Sequence, residues 1–155
     1  MTRSRFLPSV HPGLSYPPVE PAFLGRGWGF PPTFDRVACT VAMASGDTDI
    51  RQSLWIILST RLGERTMLAT FGCDLESMLF TSLTTTTANA IATMVTRAIT
   101  EWEPRVTVEA VSVTEAELAG WLDITIVYVV RQTNSRSNLV FPFYRMEATL
   151  PPPAA

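Results

Sequence analysis

The hydrophobic pattern of this chain changes period once, and the change falls at Pro104. Before it, Ala88, Ile91, Ala92, Val95, Ala98, Ile99 and Trp102 recur at helical spacing, with Asn89, Thr93, Arg97 and Thr100 opposite. After it, Arg105 to Val113 is rich in valine, and Trp121 to Arg131 is apolar on both faces of a strand. A proline drives its preceding residue out of the α region, so the helix must stop at Glu103 and the chain must leave Arg105 extended.

The remaining elements follow from the same arithmetic. Ile50, Leu54, Ile57, Leu58 and Leu62 share one helical face between about Thr48 and Leu62, with Asp47 or Thr48 as cap and Gly63 as a left-handed stop. Arg51 and Arg61 fall inside that apolar arc, so they either snorkel past the core edge or pair with buried acceptors. A short helix is expected near Leu75 to Leu83, and the four threonines from Thr84 to Thr87 offer a cap for the helix from Ala88 to Trp102. Leu139 to Tyr144 completes a three-stranded meander, with Pro142 arguing for an edge strand or a bulge. The expected class is α+β: three helices followed by a three-stranded antiparallel sheet. A proline-rich extended arm spans residues 1–35, the single domain 36–150, and a proline-rich tail 151–155. The arm carries Trp28, Phe30 and Phe34 among other large apolar groups, which implies packing against its own domain or a neighbour. Gly25, Gly27 and Gly29 suggest a tight turn.

Composition removes whole classes of function. The net charge is −2, and all 12 cations are arginine, so no basic field draws nucleic acid. Arginine forks suit protein contacts, and a GC-rich genome accounts for the all-arginine set equally well. No window approaches the roughly 18 apolar residues of a membrane span, and the start of the chain lacks the apolar run of a signal peptide. His11 is the only histidine and lies in the arm, which argues against a histidine triad or multi-histidine zinc site. Cys39 and Cys73 read as reduced, mostly buried thiols in a cytoplasmic protein. Neither cofactor nor metal is expected. Glu64, Asp74, Glu76, Glu101 and Glu103 are the candidates for a glycosidase-like carboxylate pair, which needs roughly 5–10 Å between an acid and a base. Nothing in the sequence singles out two of them. Taken alone, Glu103 and Arg105 beside the rigid Pro104 favour an internal salt bridge tying helix to strand.

Glu103-Pro104-Arg105 resembles the Glu-Pro-Arg motif of the GpW-like, tail-lysozyme-like baseplate wedge proteins of contractile injection systems, which include the TssE subunit of type VI secretion. Gly27-Trp28-Gly29-Phe30-Pro31-Pro32, the helix around Ile50-Arg51-Gln52-Ser53-Leu54, the Thr60 to Met67 loop with Phe71-Gly72, and Asn138 to Tyr144 resemble further family segments in order. Ala69-Thr70 stands where the family usually has proline before Phe-Gly. The final strand is most similar to the extracellular injection-particle branch.

The resemblance implies a non-enzymatic structural protein, present in six copies per baseplate and linking the wedge to the first sheath ring. Its partners would be large wedge subunits, sheath protein and the central spike or hub. Glu103, Pro104 and Arg105, with Arg61 and Arg51, would grip the wedge core bundle, Arg61 bracing Glu103 from inside. Leu139, Val140, Phe141, Phe143 and Tyr144 would accept sheath strands and initiate sheath assembly. Assembly would occur in the bacterial cytoplasm, yielding a phage tail-like particle. The alternatives are a peptidoglycan-cleaving lysozyme-like enzyme and a small cytosolic adaptor binding through Trp28 and Phe30.

Overall fold

The computed structural model describes residues 22–78, 81–116 and 120–144. Most of the expected arm, the tail 151–155 and His11 lie outside them. The architecture is α+β, with two α-helices laid on one face of a three-stranded antiparallel sheet. Where a third helix is expected, the described residues form a 3-10 turn, Leu75–Met78, while residues 79–80 lie outside them, and a second such turn spans Ala22–Leu24.

Helix α1 (Gly46–Ser59) starts and stops earlier than its periodicity suggests. Ser45 is its N-cap residue, and Asp47 and Asp49 place negative charge in the first turn, where the helix dipole favours it. At the other end, the Thr60 backbone N–H and hydroxyl both donate to the Ile56 carbonyl, at 3.0 and 2.6 Å. The Thr60 carbonyl then accepts from the Cys73 N–H at 2.9 Å. The Arg61 N–H, which would make the next helical bond, donates to Glu64 Oε2 instead, leaving Arg61 and Leu62 outside the helix. Gly63 closes the following turn instead, its N–H bonded to the Ala69 carbonyl.

Helix α2 (Thr85–Trp102) begins within the threonine run, where the Thr84 hydroxyl accepts from the Thr87 N–H at 3.2 Å. Its buried stripe is Ile91, Val95, Ala98 and Ile99. Opposite Ile50, Leu54, Ile57 and Leu58 of α1, these residues form the core.

Strands β5 (Val106–Glu115), β6 (Trp121–Val130) and β7 (Ser135–Tyr144) form the expected meander in sequence order. Leu122, Ile124, Ile126, Tyr128 and Val130 of β6 are buried beneath the helices. The expectation that β6 is covered on both faces fails among the described residues. Its alternate residues, Trp121 to Val129, are half-exposed, because no second layer lies over them.

The glycine-rich segment is not a tight turn. It forms β1 (Arg26–Trp28), paired antiparallel with β4 (Met43–Ser45). Strands β2 (Phe34–Asp35) and β3 (Thr40–Val41) make a second short ribbon, and the Phe30–Pro31 peptide between the ribbons is cis. Trp28 and Phe34 contact each other with ring centroids 6.1 Å apart and remain 65% and 62% exposed, so neither packs into the core. Phe30 is also exposed, and its N–H donates to Gln52 Oε1.

Candidate functional site: a buried ionic corner and an open strand edge

Pro104 turns the chain between α2 and β5, and it places Glu103 inside while Arg105 folds back onto it. Glu103 is 2% exposed, the one buried charged residue among those described. Arg105 Nε and Nη2 donate to Glu103 Oε1 and Oε2, both at 2.6 Å, as a two-pronged fork. Arg105 Nη1 donates to Asp49 Oδ2 at 2.6 Å and to the Leu24 carbonyl at 3.0 Å. One guanidinium therefore ties the end of α2, the first turn of α1 and the segment entering β1. The internal ion pair favoured by the residues alone is present, with a second carboxylate, Asp49, added.

Arg61 takes no part. It is exposed and pairs with Glu76, while its N–H donates to Glu64 Oε2 at 3.0 Å. The expectation that it braces Glu103 fails because α1 ends before reaching it. Arg51 also lies elsewhere, donating from Nη2 to the Asn138 carbonyl of β7 at 3.3 Å.

The sequence did not single out Asp49 for this corner. Two glycines are the only local trace of it. A Cβ at Gly27 would lie 2.5 Å from Asp49 Oδ1, and Gly25 adopts φ +102° directly below Arg105 Nη1.

Burial acts to raise the Glu103 pKa, but hydrogen bonds from Arg105 and Ser53 and the charge of Arg105 outweigh it and hold the carboxyl below its usual range. The Glu103 hydrogen bonds raise the Arg105 pKa in turn. Depressed in the fold, the Glu103 pKa gives stability fully present above about pH 4.3, the unfolded value, and lost as pH falls through the lower folded value. Urea melts from pH 7 down to about pH 2 are therefore expected to show a steep loss of stability below pH 4. Glu103→Gln should flatten that limb, and an unchanged acid limb would count against the assignment.

Beside Arg105 opens a shallow cavity of about 250 Å³, bounded by Trp28, Asp49, Gln52, Ser53, Ile56, Arg65 and Phe71. The Arg65 guanidinium lies 3.8 Å from the centroid of Phe71. Of the carboxylate candidates, Asp74 and Glu101 line one cavity of about 330 Å³ on the other side of the Phe71–Gly72 loop. Cys73 lines it too, its thiol pushed up to about 11 by burial and by the charge of Asp74, so it stays protonated near neutrality. Both cysteines are free, and Cys39 is exposed rather than buried.

The second feature is the edge of β7. The Arg131 N–H donates to the Arg105 carbonyl and the Ala116 N–H to the Trp121 carbonyl, so odd-numbered main-chain groups of β6 face β5. Even-numbered ones face β7, where their register partners are Ser135, Ser137, Leu139, Phe141 and Phe143. The intervening residues, Arg136, Asn138, Val140, Pro142 and Tyr144, turn their main-chain groups to the open side. Pro142 thus costs no ladder bond. Of the five residues expected to accept a strand, Leu139, Phe141 and Phe143 bond inward to β6, while Val140 and Tyr144 face outward.

The described residues form a small α+β domain with a clamped helix-to-strand corner and a β7 edge that no described strand pairs with. The family model described as baseplate wedge protein gp25 matches residues 44–135, more than half of the chain, from β4 to the start of β7. This chain belongs to that family. The baseplate wedge protein gp25 of Enterobacteria phage T4 is 33% identical over 91 residues, covering 59% of this chain. The chain spans 66% of that relative's length. A Geobacter sulfurreducens protein described as a candidate tail lysozyme is 42% identical, with a TM-score of 0.63 over 69% of this chain and 96% of its own. A chain in the baseplate of the anti-feeding prophage shares the fold, at 22% identity and a TM-score of 0.61, over 80% of this chain and 88% of its own.

Proposed function

We propose that this chain is a structural wedge component of a contractile injection system, joining the large wedge subunits to the first sheath ring and initiating sheath assembly. The observation that carries this reading is the β7 edge, which presents main-chain donors and acceptors for an added strand. The clamped corner suits a rigid mount. Arg105 fixes three elements at once, and the cavity beside it offers Trp28, Arg65 and Phe71 to the wedge core bundle. Six copies around the baseplate axis and a particle assembled in the cytoplasm belong to the same reading, which rests on family membership and on the resemblance of the motifs.

A glycosidase needs one carboxyl held protonated by a raised pKa. Glu103 is shifted the opposite way and is occupied by Arg105. The cavity shared by Asp74 and Glu101 keeps a hydrolase reading testable. The purified protein is expected to leave a peptidoglycan suspension turbid, and clearing that disappears in Glu101→Gln would establish the enzyme instead.

The direct test is affinity purification of the tagged protein from its producer, with electron microscopy and mass spectrometry. Sheathed particles, or co-purifying sheath and wedge subunits, are the expected result. A lone protein in cells that are making particles would point instead to an adaptor acting through the exposed Trp28, Phe30 and Phe34.

A further inference from the structure

We propose that Arg51 marks the end of the site on β7, so that an added strand pairs along Val140 to Tyr144 and stops short of Asn138. The inference rests on the strand-addition reading above and specifies its register. Arg51 sits on α1, and its guanidinium reaches across to the outward-facing Asn138 carbonyl at 3.3 Å. That acceptor is occupied, and a cation stands where the next residue of an incoming strand would lie. Within the site, Pro142 contributes an outward carbonyl and no donor. Two donors, on Val140 and Tyr144, and the carbonyls between them define a site for a short extended segment.

The side chains around the edge give that segment its chemistry. Trp55, one helical turn after Arg51, packs edge-on against Phe141 with centroids 4.8 Å apart and is only half-buried. An added strand laid beside Phe141 would cover the exposed part of Trp55, which calls for a large apolar residue there. Arg51 is itself exposed, and its guanidinium N–H groups outnumber its acceptors, the Asn138 carbonyl and the Tyr128 hydroxyl. Its charge calls for an acidic residue at the stopping end. The occupant is therefore an extended partner segment with an apolar residue opposite Phe141 and a carboxylate beside Arg51. A stop of this kind prevents the slippage to which open edges are prone.

Residue-resolved amide hydrogen exchange, comparing the free protein with assembled particles, tests this. In particles the Val140 and Tyr144 amides are expected to slow at least about tenfold, while Asn138 and Arg136 keep their free-protein rates. Arg51→Ala particles should extend protection to Asn138, and Arg51→Glu should abolish it at Val140 and Tyr144 by repelling the carboxylate. Protection of Asn138 in wild-type particles would overturn the stop while leaving strand addition intact. No protection at any of the four amides would remove strand addition and the stop together. Should the Arg51 variants fail to assemble, the wild-type pattern alone decides.

Discussion

Arg105→Ala is expected to destabilise the folded protein by about 3 kcal/mol, the lower end of the range for removing one partner of a buried ion pair. The lower end applies because Arg105 is about a quarter exposed, whereas Glu103 is almost fully enclosed. Without the guanidinium, Glu103 is left ionised with its fork of donors gone, and Asp49 and the Leu24 carbonyl each lose a bond. For a chain of this size the melting temperature should fall by roughly 6–12 °C. Glu103→Ala should cost less, since Arg105 keeps Asp49, Leu24 and partial solvent. The double variant Glu103→Gln, Arg105→Met, which leaves no buried charge at the corner, should recover part of the loss. A change of under about 0.5 kcal/mol in Arg105→Ala, measured by urea unfolding, would show that the clamp contributes nothing. These substitutions therefore act on folding as well as on assembly, so a missing sheath in Arg105→Ala cells would not by itself identify a partner contact.

The Val140→Pro variant separates the two effects. Its N–H faces the open edge, in the same phase as the natural Pro142, so no bond to β6 is removed. The free protein is expected to keep its circular dichroism spectrum and to melt within a few degrees of the parent. Its particles should carry baseplates without sheath, at least tenfold fewer sheathed tails being counted by electron microscopy, because one of the two donors of the site is gone. Normal sheaths on Val140→Pro particles would end the case for strand addition at β7. Substituting Leu139 by proline would be uninformative, since its N–H lies within the ladder to β6.

What was legible in the sequence was local. The stripe from Ile91 to Ile99, the stop at Pro104 and the alternation of β6 are properties of neighbouring residues, and these elements form where periodicity places them. The helix-to-strand corner was legible for the same reason. The end of α1 was not, because the Arg61 N–H is taken by Glu64 and the Thr60 carbonyl by Cys73, a residue beyond the loop. Among the described residues the segment after Asp74 makes one 3-10 turn, and the glycine segment becomes a strand because β4 supplies the partner that its own sequence does not advertise.

The sequence by itself determined the class of fold, the order of its elements and the presence of opposite charges around a rigid proline. Only the tertiary structure decided what those charges do. It brought Asp49 and the Leu24 carbonyl to Arg105 across 56 and 81 positions, and Arg51 to Asn138 across 87. It also decided which main-chain groups of β7 face outward, since that phase is set by the bonds β6 makes to β5. Periodicity and proline act between neighbours in the chain, while a guanidinium finds its acceptors only once packed helices and strands have fixed the distances.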